Sequence, residues 1–161
     1  MEKWIGVVGG VGPFAGIDLL GKIAAQTAVS LDQDHLSVLN WSQPGTIVDR
    51  TEFLLGQVAE NPAFALAEQV VQLAKMGASV VGIPCNTAHA PRIFNPLRAE
   101  LAAAHCDVQL LHMIEEVGRF LQEQLPGAKQ IGVLSTMGTY RARVYVDVLE
   151  PLGFTAVLPP L

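Results

Sequence analysis

Short apolar runs alternate along this chain with longer segments whose apolar residues recur at helical spacing. Parallel strands need long crossover connections, which are usually helices, so this alternation is typical of a parallel sheet covered by helices. Strand-like runs occupy residues 4–8, 37–41, 79–84, 108–112, 130–135 and 154–158. We therefore predict an α/β fold in which parallel sheets are flanked by helices.

The intervening segments predict helices with recognisable ends. Pro13 suits the first turn of one helix, where its missing N–H is not needed, and Gly77 suits the end of another. Pro96 interrupts the segment after Cys85, which predicts a short helix, a kink and a second helix starting near Asn95. The apolar stripes are Phe14, Ile17, Leu20, Ala24 and Ala28; Leu66, Val70, Leu73 and Ala74; Ile114, Val117 and Leu121; and Tyr140, Val144 and Val148.

The length of 161 residues fits one domain, or one domain and part of another, since a domain usually holds about 100–200 residues. An alanine-rich stretch over 102–105 separates a longer first β/α unit from a shorter second one. We predict a first α/β domain over 1–104 and a similar but incomplete second α/β domain over 105–161.

Composition narrows the class of protein. With a net charge of −5 and few, scattered basic residues, the chain lacks the electrostatic pattern of a nucleic-acid-binding protein. No apolar run approaches the roughly 18 residues of a membrane span, and the first residues do not resemble a secretory signal. We expect a cytoplasmic protein without a membrane or nucleic-acid partner, in which Cys85 and Cys106 are thiols.

Three polar stretches follow predicted strands, at 9–13, 84–89 and 135–139, and open α/β sheets bind ligands at such strand ends. Cys85 precedes a predicted helix, whose first backbone N–H groups would lie beside the sulfur. A thiol there could serve as a base or a nucleophile, with Asn86 and Thr87 as donors to a carboxylate. The alternative is a buried core cysteine, but the polar neighbours favour function.

The glycine-rich stretch admits two interpretations. Gly10, Gly12 and Ala15 satisfy the GxGxxA form of a dinucleotide fingerprint, which makes a nucleotide-binding oxidoreductase a rival hypothesis. That motif requires an acidic residue near the end of the second strand, where residues 40–42 are Asn, Trp and Ser. A tight strand-to-helix turn accounts for the same glycines.

Arg50 is a notable cation in a chain with few, because a guanidinium grips a carboxylate through two parallel hydrogen bonds. A surface ion pair with a neighbouring acid is an equal alternative. Thr136, Gly138 and Thr139 resemble an anion-holding turn at a helix start, although a helix cap has the same pattern. The residues alone do not decide between these alternatives.

Two histidines and one further cysteine complete the candidates. His89 follows Cys85 by four residues and would share a helix face with it, as in a Cys–His hydrolase, but a packed histidine is the more common outcome. His112, at a strand end, has the same two interpretations. Cys106 has no glycine or hydroxyl neighbours, so we interpret it as an ordinary cysteine.

Five strings of residues together resemble the aspartate/glutamate racemase family, and its aspartate racemase branch in particular. They are IGVVGGVGP at 5–13, DRT at 49–51, PCNTAH at 84–89, MIEE at 113–116 and IGVLSTMGT at 131–139. The strings follow the family's order and spacing over essentially the whole chain, and PCNTAH is the most specific of them.

This resemblance implies two similar α/β domains with an acidic amino acid, aspartate before glutamate, in the cleft between them. It implies a cofactor-independent racemase without a metal, in which one cysteine from each domain faces the substrate Cα, and it implies a homodimer. Cys85 matches the first cysteine, and Arg50 matches a carboxylate-binding position. The other matching cleft residues are Gly10, Asn86, Thr87, Thr136, Gly138 and Thr139.

The chain departs from the family pattern in one respect. Family members continue further and carry the second cysteine in a Gly-Cys-Thr string, which is absent here. We expect a truncated or fragmentary chain that leaves apolar faces of its second unit uncovered. The alternatives that stay open are a one-cysteine enzyme that decarboxylates or isomerises small diacids, and a non-catalytic carboxylate-binding protein.

Overall fold

The computed structural model of this protein describes residues 3–160, so the outermost ends of the two predicted domains lie outside the described residues. Each of the six predicted strands is present, with ends that differ slightly from the prediction. The strands are β1 (Trp4–Gly9), β2 (Val38–Ser42), β3 (Ala78–Gly82), β4 (Gln109–Leu110), β5 (Gln130–Gly132) and β6 (Thr155–Val157).

Helices connect these strands. The α-helices are α1 (Pro13–Gln26), α2 (Arg50–Leu54), α3 (Ala63–Lys75), α4 (Pro91–Ala103), α5 (Met113–Gln124), α6 (Met137–Arg141) and α7 (Val146–Leu149). Single 3₁₀ turns occur at Asp32–Asp34, Pro44–Thr46, Thr87–His89 and Glu150–Leu152. Over residues 3–160, none of these helices has both the length and the hydropathy needed to span a membrane.

The first sheet is parallel and has the strand order β2-β1-β3-β4, while β5 and β6 form a separate parallel pair. From β1 the chain pairs β2 on one side, with Ile5 opposite Val38, and then crosses over to pair β3 on the other side, with Val7 opposite Gly82. The predicted α/β fold with parallel sheets is confirmed. The change of direction places a topological switch point between β1 and β3.

Each sheet has its own apolar core. The core of the first sheet includes Val8, Leu66 and Val81. The core of the second sheet holds Leu121, Val133, Leu149 and Phe154. A third, small cluster consists of Ala90, Ile114 and Val144. The division of the chain after residue 104 stays a prediction, and one strand beyond it, β4, pairs with β3 and so extends the first sheet.

Helix α3 covers the first sheet with the apolar stripe that the sequence predicts. Leu66, Val70 and Leu73 are fully buried, and burying a side chain of this size contributes roughly 1.5–3 kcal/mol. Gly77 ends the segment as predicted, because its φ of 109° lies in the left-handed region that favours glycine. The helix packs on both β1 and β3 and so holds these two strands together.

Helix α1 begins at Pro13 as predicted, but its apolar stripe faces outward. Phe14 is 84% exposed and Ile17 is 58% exposed. The side that meets the sheet is set by Gly16, where an added Cβ would lie only 3.3 Å from the Cα of Gly9. Ala28, the last residue of the predicted stripe, lies beyond the end of the helix.

The predicted break at Pro96 is wrong, because α4 runs through this residue. Proline removes the N–H that would bond the Arg92 carbonyl one turn earlier. The Asn61 Nδ2 donates to that carbonyl instead, at 3.0 Å, and the Asn61 Oδ1 accepts from the Ala63 N–H, also at 3.0 Å. The Asn61 side chain therefore satisfies both a free carbonyl of α4 and the N–H at the start of α3.

The stripe of Tyr140, Val144 and Val148 predicted one last helix. This prediction is wrong, because the structure divides the segment into α6 and α7. Arg143, between α6 and α7, adopts a φ of 53°. The Val144 N–H bonds back to the Thr139 carbonyl at 3.3 Å, five residues earlier, so the turn is wider than an α-helical one. No glycine or proline marks the break, which explains why the sequence predicts one helix.

We predict that Asn61→Ala lowers the free energy of unfolding by about 1–2 kcal/mol, because it removes two hydrogen bonds at partly exposed helical positions. Urea denaturation followed by circular dichroism measures the change. Pro96→Ala restores the N–H that serves the Arg92 carbonyl, so Asn61→Ala should cost less in that background. An equal cost in both backgrounds would show that Asn61 acts only on α3.

Candidate functional site

A cavity of about 290 Å³ lies beyond the carboxyl ends of β1, β3 and β5, at the switch point of the first sheet. All the side chains predicted as substrate contacts line it, together with residues next to them in sequence that were not predicted. The lining residues are Val11, Asp49, Arg50, Thr51, Pro84, Cys85, Asn86, Thr87, Thr136 and Thr139.

The two predicted glycines lie beside the cavity and allow close packing there. Gly10 has a φ of 85°, and an added Cβ would lie 2.9 Å from the Pro44 nitrogen. A Cβ on Gly138 would lie 2.8 Å from the Thr51 hydroxyl oxygen. Both glycines therefore let neighbouring backbone approach, and neither belongs to the cavity lining itself.

Cys85 is partly buried at the cavity wall, just beyond β3. Its backbone N–H bonds the Ile83 carbonyl at 2.8 Å, which forms a tight turn directly after the strand. The helix predicted to follow is first a 3₁₀ turn of three residues, and α4 begins only at Pro91. The thiol is thus placed by the turn at the strand end, and the α-helix starts further along the chain.

Arg50 begins α2, a helix that Asp49 caps by accepting from the Glu52 N–H at 2.9 Å. The Arg50 Nη1 donates to the Val48 carbonyl at 3.3 Å, and the buried Nε has no hydrogen-bond partner in the part of the chain that the structure describes. Among residues 3–160 no acidic group lies within ion-pair distance of this guanidinium, so the predicted alternative of a surface ion pair is wrong. The guanidinium instead lies at the cavity wall.

Three hydroxyls of the cavity lining meet one another. The Thr87 and Thr139 oxygens are 2.8 Å apart, Thr87 and Thr136 are 3.3 Å apart, and Thr136 and Thr139 are 3.2 Å apart. Thr136 also caps α6 by accepting from the Thr139 N–H at 3.5 Å, so the capping interpretation holds as well. These bonds join the loop after β3 to the start of α6.

Tyr145 is a site neighbour that the sequence did not indicate. Its hydroxyl donates to the Asn86 Oδ1 at 2.7 Å, across 59 positions of the chain. Burial raises the pKa of Tyr145. Tyr145 follows the wide turn at Arg143, and that turn has no local signal in the sequence.

His89 packs behind the cavity and does not face the thiol. Its Nδ1 lies 2.8 Å from the Cys85 carbonyl, and its ring stacks on Phe94 at 5.1 Å between centroids. Burial lowers the pKa of His89 to about 4, so the ring is neutral at pH 7 and its Nδ1 donates. Cys85 and His89 therefore do not form the pair of a Cys–His hydrolase, and His89 instead supports the backbone of Cys85.

His112 packs against His89. Its Nδ1 accepts from the Glu115 N–H at 3.2 Å as the cap of α5, which leaves Nε2 to donate to the His89 carbonyl at 3.3 Å. The two rings meet edge to face at 4.7 Å. His112 is thus a structural residue here.

Cys106 lies away from this site. It lines a separate cavity of about 450 Å³ beside α4 and β4. Burial, followed by the charge of Asp107, raises the pKa of this thiol, which favours the protonated form of an ordinary cysteine. Within the described part of the chain, Cys85 is accordingly the only cysteine at the candidate site. The candidate site is the smaller cavity of about 290 Å³, which also holds Arg50 and lies at the switch point.

An open parallel sheet with a thiol and a guanidinium beside a cavity at its switch point defines an α/β protein of the kind that binds ligands at strand ends. Comparison with known proteins narrows this class. The sequence profile of the Asp/Glu/Hydantoin racemase family matches residues 8–161. The chain belongs to this family, and the resemblance seen in the sequence is confirmed.

Individual relatives agree with this assignment. A broad specificity amino-acid racemase of Bacillus subtilis is 26% identical over 155 residues, which cover 92% of this chain and 61% of that protein. The structure of Picrophilus torridus aspartate racemase is similar with a TM-score of 0.83 and 28% identity, over 98% of this chain and 63% of that one.

An aspartate racemase homologue from Pyrococcus horikoshii shares the fold, with a TM-score of 0.73 and 22% identity. The similarity covers 99% of this chain and 65% of that one. The chain therefore spans a little over three fifths of the length of these relatives.

We predict that stability falls as the pH drops from 6.5 towards 4, because His89 has a lowered pKa of about 4 in the folded state and an ordinary value of 6.5 when unfolded. In this window the unfolded chain binds a proton that the folded chain does not, so the contribution of neutral His89 is complete above pH 6.5 and is lost at lower pH. The loss amounts to about 3 kcal/mol, measured by urea denaturation at several pH values.

His89→Asn keeps an N–H donor for the Cys85 carbonyl but does not titrate, so it should flatten this pH dependence. His35→Asn, at an exposed position, is the matched control and should behave as the wild type. If the wild type and His89→Asn lose stability equally as the pH falls, His89 is not the cause of the pH dependence.

Proposed function

We propose that this protein is an amino-acid racemase that works without a cofactor, acts on aspartate in preference to glutamate, and uses Cys85 as one of two opposed thiols. The observation that carries this proposal is the meeting of the Cys85 thiol and the unpaired, buried Nε of Arg50 in one cavity of about 290 Å³. A base and a carboxylate-binding group are both needed for this reaction.

The acidic substrate is supported by charge. A chain with a net charge of −5 must hold an anion through chosen local groups, and Arg50 is the cation available at the cavity. Asn86 and the Thr87, Thr136 and Thr139 hydroxyls supply neutral polar groups for the rest of the ligand. A relative with the same fold is an aspartate racemase, which favours aspartate within this class.

The proposed chemistry is a proton transfer at the substrate Cα. The Cys85 thiolate takes the Cα proton and becomes a thiol, while the electron pair of the C–H bond moves into the α-carboxylate. The Cα proton is very weakly acidic, so fixed donors such as the Arg50 guanidinium must meet the developing charge. Return of a proton to the other face completes inversion.

That last step needs a second thiol, and Cys106 lies at a different cavity. We propose that the second thiol is not Cys106 and that the substrate lies between two α/β domains, divided near residue 104. Cys85 alone can return the proton only to the face from which it was taken. The reaction requires a reduced thiol, which fits a cytoplasmic location.

We predict that the protein in deuterated buffer exchanges the Cα proton of L-aspartate without inversion, because a single thiol serves one face. Proton NMR with a chiral assay measures both quantities. Cys85→Ala should reduce exchange by at least about a hundredfold, since a positioned base contributes 10²–10⁴ in rate. Cys106→Ala is the matched control and should leave exchange unchanged.

Other outcomes distinguish the remaining hypotheses. Exchange that persists in Cys85→Ala would eliminate Cys85 as the base. Loss of carbon dioxide or formation of an isomeric diacid would show a one-cysteine decarboxylase or isomerase. Aspartate binding without exchange would show a carboxylate-binding protein.

We also propose that two copies of the chain pair through α1. This helix is apolar on the side of the exposed Phe14 and Ile17 as well as on the side that meets the sheet, and such a helix is normally covered on both. A self-complementary pairing around a twofold axis is the commonest way to cover such a surface.

We predict that Phe14→Asp converts the protein from dimer to monomer, because the carboxylate would have to be buried in the apolar interface. Light scattering coupled to size-exclusion chromatography measures the mass. Phe64→Asp, at another exposed phenylalanine on α3, is the matched control and should leave the mass unchanged. A monomeric wild type would contradict the proposed dimer.

A further inference from the structure

We propose that Tyr145 is a positioning residue that holds the Asn86 side-chain amide with its two Nδ2 hydrogens directed at the cavity. The consequence for binding rests on the proposed function, since it concerns an anionic substrate. The orientation itself is a property of the molecule without any ligand, and it can be measured separately.

The direction of the hydrogen bond follows from the chemistry of the phenol. The Tyr145 hydroxyl and the Asn86 Oδ1 lie 2.7 Å apart. A phenol oxygen shares its lone pair with the ring, so it donates better than it accepts, and burial raises the pKa of this group so that it keeps its proton. An amide oxygen is the matching acceptor. Tyr145 therefore selects the orientation in which Oδ1 faces it.

In the described part of the chain, no other hydrogen bond competes for the Asn86 amide. Asn86 precedes the 3₁₀ turn at Thr87–His89, but its side chain makes no capping bond there. Among residues 3–160, the contact with Tyr145 is the one hydrogen bond made by this side chain. Both Nδ2 hydrogens are thus left for a ligand at the cavity that Asn86 lines with Arg50.

The orientation matters because an amide has two unlike ends. With Oδ1 held by Tyr145, the end presented to the cavity is a donor and adds to the positive charge of Arg50. A flipped amide would present an oxygen to a carboxylate, which repels it. Without Tyr145 the two orientations are close in energy, and part of the population would disfavour an anion.

The test uses Tyr145→Phe in the full chain, with Tyr140→Phe as the matched control because Tyr140 does not line this cavity. In a ¹⁵N-labelled protein, the Asn86 side-chain resonances should shift in Tyr145→Phe and stay unchanged in Tyr140→Phe. Calorimetry with L-aspartate should show binding about two- to tenfold weaker in Tyr145→Phe alone, the range expected for one hydrogen bond.

A double-mutant cycle separates positioning from general loss of structure. If Tyr145 acts through Asn86, Tyr145→Phe should not weaken aspartate binding further in an Asn86→Ala background. Equal weakening in both backgrounds would overturn the proposal, as would unshifted Asn86 resonances in Tyr145→Phe. If the wild type binds no aspartate, the proposed function fails, and the resonances alone decide the orientation.

If Tyr145→Phe does not fold, Asn86→Asp provides a second test of the proposal. This variant keeps an oxygen that can accept from Tyr145, but it replaces the two donor hydrogens with a negative charge. A folded Asn86→Asp protein that has lost aspartate binding supports the proposal. Unchanged affinity would overturn it.

Discussion

The placement of β2 and β3 on opposite sides of β1 is the constraint on which the rest of the molecule depends. Since β2 pairs on one side and β3 on the other, the connecting segments separate above the carboxyl ends of the strands and leave a crevice. The loop after β1 brings Val11 to this crevice, and the loop after β3 brings Cys85. Helix α3 packs on both strands beneath it and keeps their spacing fixed.

Polar contacts from residues 136–145 complete the crevice. The Thr87 hydroxyl meets that of Thr139, the Tyr145 hydroxyl meets Asn86, and Gly138 lies where any larger residue would collide with α2. A buried hydroxyl costs free energy unless it is paired, so these contacts tolerate little displacement. These bonds therefore hold Thr139 and Tyr145 against the loop after β3.

The sequence predicted a strand or a helix correctly where interactions between neighbouring residues determine the structure. All six strands, the stripe of α3 and the ending at Gly77 follow from apolar runs and from backbone freedom at glycine. The break at Pro96 was wrong because Asn61, distant in sequence, supplies the donor for the freed carbonyl. The division of the last helix was missed because Val144 packs with Ala90 and Ile114, a tertiary contact.

The sequence by itself determined the parallel α/β class, the family, and the set of polar groups at strand ends from which the site is built. The tertiary structure alone decided that Arg50 has no acidic partner among residues 3–160, that His89 bonds the Cys85 carbonyl, and that Tyr145 reaches Asn86. Periodicity and turn residues report which positions can be buried and where an element ends. Which buried polar groups pair depends on distances between elements far apart in the chain, and only the packed structure sets those distances.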